Sequence, residues 1–426
     1  MAYTFSGGVR VDEYRLTNRC RIETLPPPKT VTIPLCGRIP TVQPGDSVTV
    51  GQKLADGDEN NCPVHASVSG TVQEIVRRVT PEGEDDAVVI ENDMENTVCP
   101  DLAPMAKKLT EVTSEEIISV IRQAGITEYG KPFFKKIRGA MEKTEKLLIN
   151  CCESEPFLTV SHRLMLEHPA GIINGAKILL KALGVRTAWI CIDEHDADAI
   201  QKMEDVTAGS KLFEVKLFKS KYPQSDPRQL IYAASGTEVS AGDEEWESGC
   251  ITVDPETCCA VYRAFAEGMP QVNRIITASG DCMKKPKNLS VPIGASVSAV
   301  ITFCGGLVRK PKRILSGSVM TGYAHWDAQI PVTRSTKAVI LLSDSFGRRN
   351  REEPSCIRCG KCADACPMQL LPLYIARYAA AGKFDKAIKM GALNCGECGS
   401  CTYACPAGVE ITQLIRTVKQ TAEREG

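Results

Sequence analysis

The stretches CIRCGKCADACP (356–367) and CGECGSCTYACP (395–406) share one spacing, C-x2-C-x2-C-x3-C-P. Each run puts three cysteines within seven residues, and three thiolates on one tight loop cannot close a four-cornered site. This is the spacing of paired [4Fe–4S] sites, where the fourth cysteine of each run ligates the other cluster. Cys356, Cys359, Cys362 and Cys405 are therefore expected to hold one cubane, and Cys395, Cys398, Cys401 and Cys366 the other. Zinc ribbons use two separated C-x2-C pairs, so a zinc or disulfide reading would need the whole pattern to recur by accident. Between the runs, residues 370–390 (LLPLYIARYAAAGKFDKAIKM) carry apolar side chains at helical spacing, enough for one or two helices. Two clusters so close pass electrons one at a time, and this end of the chain is a conductor.

At 426 residues with 43% hydrophobic content, the chain is long enough for two to four domains with their own cores. A net charge of −1 and 5% aromatic residues give neither the electrostatic pull nor the stacking surface that nucleic acid requires. No run of eighteen apolar residues is present, and the opening MAYTFSGGVRVDEYR has neither a basic n-region nor an apolar h-region. A cytoplasmic chain without a membrane span is expected. Twenty cysteines without an export signal imply a reducing compartment, and an anaerobe suits them best. Twelve lie outside the two runs, among them the adjacent pairs Cys151–Cys152 and Cys258–Cys259, and none shows ligand spacing. They read as small buried hydrophobes.

Residues 30–75 run as short β-branched strands broken by P-G-D, G-Q and S-G turns. This resembles the barrel-sandwich hybrid of biotinyl and lipoyl domains. The hairpin tip that bears a modified lysine in such domains is here Asp58, Glu59, Asn60 and Asn61, which excludes swinging-arm chemistry. His65 reads either as a ligand or as a satisfied core or surface histidine. A helix follows over 114–124, opened by a Thr113…Glu116 capping box and closed by Gly125. Then KLLIN (146–150), GIINGAKILLKAL (171–183) and TAWICI (187–192) form a strand–helix–strand unit and hence a parallel pair. Ligands bind at the carboxyl ends of such strands, which puts the loop CCESEP (151–156) at a nucleotide or flavin site.

The stretches FSGGV (5–9), CPVHASVSGTV (62–72), HRLMLEHP (162–169), YPQ (222–224), QLIYA (229–233) and IPVTRSTKAVILL (330–342) occur in that order. With the two cysteine runs they resemble RnfC, the C subunit of the Rnf electron-transport complex, over essentially the whole length. RnfC is in turn similar to the flavin subunit of complex I. The resemblance implies a multidomain α/β fold: a barrel-sandwich hybrid β domain (1–100), a flavin-subunit-like α/β domain (101–245), a small β-containing, SLBB-like segment (246–345) and a C-terminal helical domain of the two-[4Fe–4S] ferredoxin type (346–426). It also implies an FMN and NADH site. Members that oxidise NADH carry a GxGGAGFP-type stretch, and the matching segment here is GITEYGKPFFK (125–135), which keeps only Gly125, Gly130 and Phe134. Glu128, Lys131 and Pro132 stand where a phosphate cradle needs bare amides. Glu153 and Glu155 match the ESEP of the complex I flavin subunit, where an acidic residue lies near the nicotinamide; alternatively they solvate a loop or cap the next helix. A second glycine-rich stretch, SGSVMTG (316–322), is likewise impoverished. The candidate cofactor residues are thus Gly125, Gly130, Glu153 and Glu155, at a site expected to bind FMN and NADH weakly or not at all.

The expected function is a relay of single electrons through two [4Fe–4S] clusters to a partner reductase, such as a proline reductase. The proline-reductase-associated electron-transfer proteins are similar in length and layout. One alternative is the NADH-oxidising FMN and iron–sulfur RnfC component of a membrane Rnf complex, which needs a flavin because hydride carries two electrons and a cubane takes one. Another is a non-catalytic scaffold that docks a ferredoxin module. The partners are then a protein electron donor and acceptor of reductase or ferredoxin type, or Rnf-type membrane subunits, at the inner face of the membrane or in the cytoplasm, and not nucleic acid. Three basic runs, Lys284-Lys285-Pro286-Lys287, Arg309-Lys310-Pro311-Lys312-Arg313 and Arg348-Arg349-Asn350-Arg351, read as solvated loops or as docking points for an acidic partner.

Overall fold

In the computed structural model, which describes residues 2–240, 242–346 and 355–425, four modules follow one another along the chain. The basic run 348–351 and the expected boundary at 346 fall at or outside the edge of the described residues. Among the described residues no helix is long and apolar enough to cross a membrane.

Alternating β-branched residues form the long antiparallel hairpin of Gly70–Thr80 and Gly83–Asn92, onto which Thr30–Pro34 and Ser47–Val48 pair from either side. Val31, Ile33, Leu54, Val64, Val72, Val88 and Ile90 fill the interior of this barrel sandwich. Asp58 holds the tip through the Asn60 amide and the Asn61 side chain.

The α/β module starts at the helix Ser114–Gln123, whose Thr113 and Glu116 form both halves of a capping box. Its sheet is fully parallel, in the order Phe213–Phe218, Ala188–Asp193, Lys146–Asn150, Cys250–Val253. The strands KLLIN and CITV are near-continuous apolar runs because helices cover both faces. The fourth strand lies beyond residue 245, where this module was expected to end: Leu147 and Leu148 need a neighbour on their second edge, and Ile251 and Thr252 supply it. The helix Pro255–Glu267 then packs on Pro169–Leu183. Gly175 permits the approach, since a Cβ there would lie 1.9 Å from the Cys258 carbonyl oxygen.

The third module is a six-stranded sheet with Ala338–Leu342 fully buried. Its edge strand Ile22–Thr24, parallel to Lys287–Pro292, comes from the N-terminal hundred residues, so that segment is not a self-contained barrel. The last module is helical. Pro372–Ala380 and Phe384–Lys389 separate the cysteine loops, and Ile375, Ala387, Ile411, Ile415 and Val418 form its core. Nine of the twelve cysteines outside the runs are buried; Cys36 is exposed, and Cys20 and Cys99 are half-buried.

Two outcomes follow from this packing. Gly175→Ala should cost on the order of 3 kcal/mol, because the methyl meets backbone that cannot rotate away; a urea midpoint within experimental error of the unmodified chain would refute the close approach. His65 is 7% exposed beneath Gly125, and burial, aided by Arg334 and Lys53, pushes its imidazole down from 6.5 to about 3. The unfolded chain therefore takes up this proton first, and stability is lost as pH falls below about 6.5. Between pH 6.5 and 5 the loss should be about 2 kcal/mol greater in the unmodified protein than in His65→Asn, read from urea denaturation at both pH values.

Candidate functional site

The two cysteine loops are built alike. Arg358 and Glu397, two residues after the first cysteine of each run, both adopt left-handed backbone (φ 58° and 54°). That turn aims the Arg358 amide at Cys356 Sγ (3.4 Å) and the Glu397 amide at Cys395 Sγ (3.3 Å). The Leu370 amide does the same for Cys366 Sγ (3.4 Å). Amides pointed at sulfur favour its anionic form, which is the form that ligates iron. Glu397 is clamped by Arg416 (2.8 Å) and Lys419 (2.7 Å).

Cys356, Cys359, Cys362 and Cys405 line one cavity of about 160 Å³, together with Ile357, Leu373 and Ile411. Cys405 is thus beside the first run. Burial raises the Cys395 and Cys401 thiols, Cys401 to about 11, and nearby Cys366 adds to both. Cys366 accordingly sits with the second run. Among the described residues no three metal-binding side chains converge as a single ion would require. The first set instead surrounds a space. Cys356 and Cys359 are exposed, while Cys362, Cys366, Cys401 and Cys405 are buried.

A second cavity, of about 550 Å³, opens at the carboxyl end of the strand Lys146–Asn150. It is lined by Gly130, Glu153 and Glu155 of the expected site, by Gly317 and Gly322 of the second glycine-rich stretch, and by Gly396 and Cys398 of the second cysteine loop. The helical module therefore forms part of its wall. Tyr222 donates its hydroxyl to the Cys398 carbonyl oxygen (2.5 Å), Gly8 N donates to Ala365 O (3.1 Å), and a Cβ at Gly7 would lie 2.6 Å from Cys366 O. The FSGGV and YPQ stretches are the seat of the cysteine loops, a role their composition did not reveal.

Gly125 is not in this cavity. It packs under the barrel, where a Cβ would lie 2.9 Å from Pro63 O, and Arg334 donates to its carbonyl (3.0 Å). Residues 127–132 form a β-hairpin, with Tyr129 and Gly130 at its tip in left-handed backbone. Glu128 puts no charge into the cavity. It is 4% exposed and turns inward to Lys136 (2.7 Å) and the Asp254 amide (2.8 Å), and Lys136 also reaches Glu245 (3.0 Å). Tyr129 donates to Asp254 (2.8 Å), with Lys337 Nζ 3.9 Å from its ring centre. Lys131 is exposed on the rim and has no ion-pair partner among the described residues.

Glu153 accepts from the Ser161 (2.9 Å) and His162 (3.2 Å) amides, so it caps the helix Val160–Glu167, the plainer of its two expected roles. Glu155 bonds Thr321 through Oε1 (3.0 Å), and its Oε2 is buried without a partner. Burial raises both carboxyls above their ordinary range. The cavity wall carries six carboxylates (Glu82, Glu153, Glu155, Asp226, Asp254, Glu256) against three cations (Lys131, Arg274, Lys337). Arg274 is spent on Glu256 (2.8 Å).

Family models match all four modules: the RnfC barrel sandwich hybrid domain over residues 3–95, the Nuo51 FMN-binding domain over 121–263, the SLBB domain over 275–324 and the 4Fe-4S dicluster domain over 355–409. The C subunit of the proton-translocating ferredoxin:NAD(+) oxidoreductase complex of Clostridium ljungdahlii is 34% identical over all of this chain and 95% of its own length. Its Na(+)-translocating counterpart from Acetobacterium woodii is 32% identical over 98% of this chain and 96% of its own. The C subunit of the ion-translocating oxidoreductase complex of Rhodobacter capsulatus is 30% identical over all of this chain and 84% of its own. With the four modules in order and the cysteine loops paired across one another, the chain belongs to the RnfC family, as an iron–sulfur electron-transfer protein with two [4Fe–4S] clusters.

Proposed function

We propose that this chain relays single electrons between protein partners, with Cys356, Cys359, Cys362 and Cys405 holding one cluster and Cys395, Cys398, Cys401 and Cys366 the other. The observation that carries the reading is the placement of the two loops. Cys356 and Cys359 are exposed at the surface, whereas Cys398 lies against the interior cavity and is tied to Tyr222. Each cubane, when bound, takes or gives one electron. The chain's residues do the rest: the buried cysteines exclude water, the Arg358, Glu397 and Leu370 amides stabilise negative sulfur, and the exposed first loop lets a partner approach. The acceptor is a partner reductase of the proline-reductase kind, and the chain works on the cytoplasmic side. The full-length likeness to components of ferredoxin:NAD(+) oxidoreductase complexes supports ferredoxin-type partners.

The flavin cradle does not fit. Where a phosphate would need bare amides there is a hairpin whose tip side chain is bonded to Asp254 and whose flank is Pro132, inside a wall richer in carboxylates than cations. The cavity volume, within the usual range for cofactor sites, and the match to an FMN-binding domain favour the second reading, an NADH-oxidising RnfC.

Protein purified without oxygen should contain about eight irons per chain. Cys405→Ser should damage the cluster of the first run, which its own sequence neighbours do not share. Electron paramagnetic resonance of the reduced variant checks this, and loss confined to the second run's signal refutes the crossed set. For electron entry, a one-electron donor should bleach the cluster absorbance rapidly while NADH does not, and released-cofactor analysis should find far less than one FMN per chain. Rapid bleaching by NADH with stoichiometric FMN would replace the relay by the NADH-oxidising reading.

A further inference from the structure

Two of the basic runs, distant in sequence, meet at one end of the six-stranded sheet. Lys284 N donates to Gly306 O and Lys285 N to Cys304 O, while Met283 bridges to Leu307 and Val308 N donates to Cys282 O. The chain then passes through Arg309, Lys310 and Lys312 into the strand Arg313–Ser316. That strand pairs with Tyr323–His325, Ile314 opposite His325, which sets Trp326 across from Arg313. Among the described residues, six cations (Lys284, Lys285, Arg309, Lys310, Lys312, Arg313) thus gather at this end against three carboxylates, Asp281, Asp327 and Asp344, in a chain whose overall charge is −1. Amid them three apolar side chains stand in solvent: Leu307, Val308 and Trp326, the last 83% exposed. Trp189 and Trp246 are both partly buried.

An indole left in water forfeits the largest burial gain a side chain offers, so an 83% exposed tryptophan at the same end of the sheet as an exposed Leu–Val pair marks a surface that is covered in use. What covers it must tolerate six cations. The patch is also separate from the electron path. In the same strand pair, Ser316 and Tyr323 lie at the cavity end, whereas Arg313 and Trp326 lie at the other. Protruding apolar side chains ringed by Lys and Arg match a layered surface, anionic outside and apolar beneath, in which tryptophan settles at the headgroup level.

We propose that this end of the sheet docks the protein on an anionic lipid surface, with Trp326, Leu307 and Val308 entering the headgroup layer and Lys284, Lys285, Arg309, Lys310 and Lys312 on the phosphates. The inference deepens the proposed reading of a chain that works on the cytoplasmic side, by naming the surface it rests on.

The test uses the full chain with its clusters, under anaerobic conditions, and vesicles of phosphatidylcholine alone or mixed with phosphatidylglycerol. Co-sedimentation should occur with the mixed vesicles, weaken as salt is raised, and shift the tryptophan emission to the blue. Lys284→Glu/Lys285→Glu/Lys310→Glu should weaken binding at least roughly tenfold. Trp326→Ala should abolish most of the emission shift. A Lys177→Glu/Arg186→Glu/Lys211→Glu control, exposed on the α/β module, should bind as the unmodified chain does. The proposal is overturned if neither vesicle binds, if both lipids bind equally, if the two triple variants bind alike, or if the patch variants lose only attachment to a purified acidic protein. Cluster reduction by a one-electron donor, measured on the same samples, separates failure of the surface from failure of the electron relay.

Discussion

Everything at the C-terminal end depends on one geometric constraint: a loop of three cysteines cannot close a four-cornered cluster. The fourth corner must come from elsewhere, and Cys405 of the other loop lies in the same cavity as Cys356, Cys359 and Cys362. The two loops are then forced into proximity. The helices Pro372–Ala380 and Phe384–Lys389 carry the chain out and back, and their buried face, with Ile375 and Ala387, is the core of the module. A module of this size has little apolar area of its own, so the iron–sulfur bonds contribute folding free energy as structural metals do in small domains.

The same constraint reaches into the α/β module. The helical unit sits on a seat made from backbone: Gly7 and Gly8 approach within a distance that any Cβ would prevent, and the Tyr222 hydroxyl holds the Cys398 carbonyl. Because Tyr222 follows the strand Phe213–Phe218, the seat is fixed to the carboxyl edge of the parallel sheet. The cavity at that edge and the second cysteine loop therefore share a wall for reasons of topology, whatever enters the cavity.

The dicluster module, the barrel and the parallel unit were legible in the sequence because each rests on local spacing or periodicity. Pairing between distant segments was not. Ile22–Thr24 has no alternation to announce that it joins a sheet strand as far along the chain as Asn288–Ser290, and Cys250–Val253 reads equally well as the start of the next module. Gly125 looked like a cofactor glycine because glycine is needed both where a ligand approaches and where backbone does; here the approaching atoms belong to Pro63 and His65. Glu153 carried two readings; it accepts hydrogen bonds from two helix amides, as a cap does, and it also lines the cavity.

Glu128 shows best why the altered loop is a different structure and not a decayed one. An unpaired carboxylate at 4% exposure would cost several kcal/mol, far more than the hairpin around it could recover. It is not unpaired: Lys136 and the Asp254 amide satisfy it, Glu245 shares the lysine, and Asp254 in turn takes the Tyr129 hydroxyl and the Lys337 ammonium (3.4 Å). Removing Lys136 would leave Glu128 buried with no cationic partner in the network, so the hairpin depends on that lysine most. A glycine-lined loop would keep its amides free by having no side chains to satisfy. In this loop Glu128 and Tyr129 carry side chains that are already bonded, and the hairpin tip borders a wall of carboxylates. The surplus of carboxylates and the bonded hairpin are the two features on which the proposal of weak flavin binding rests.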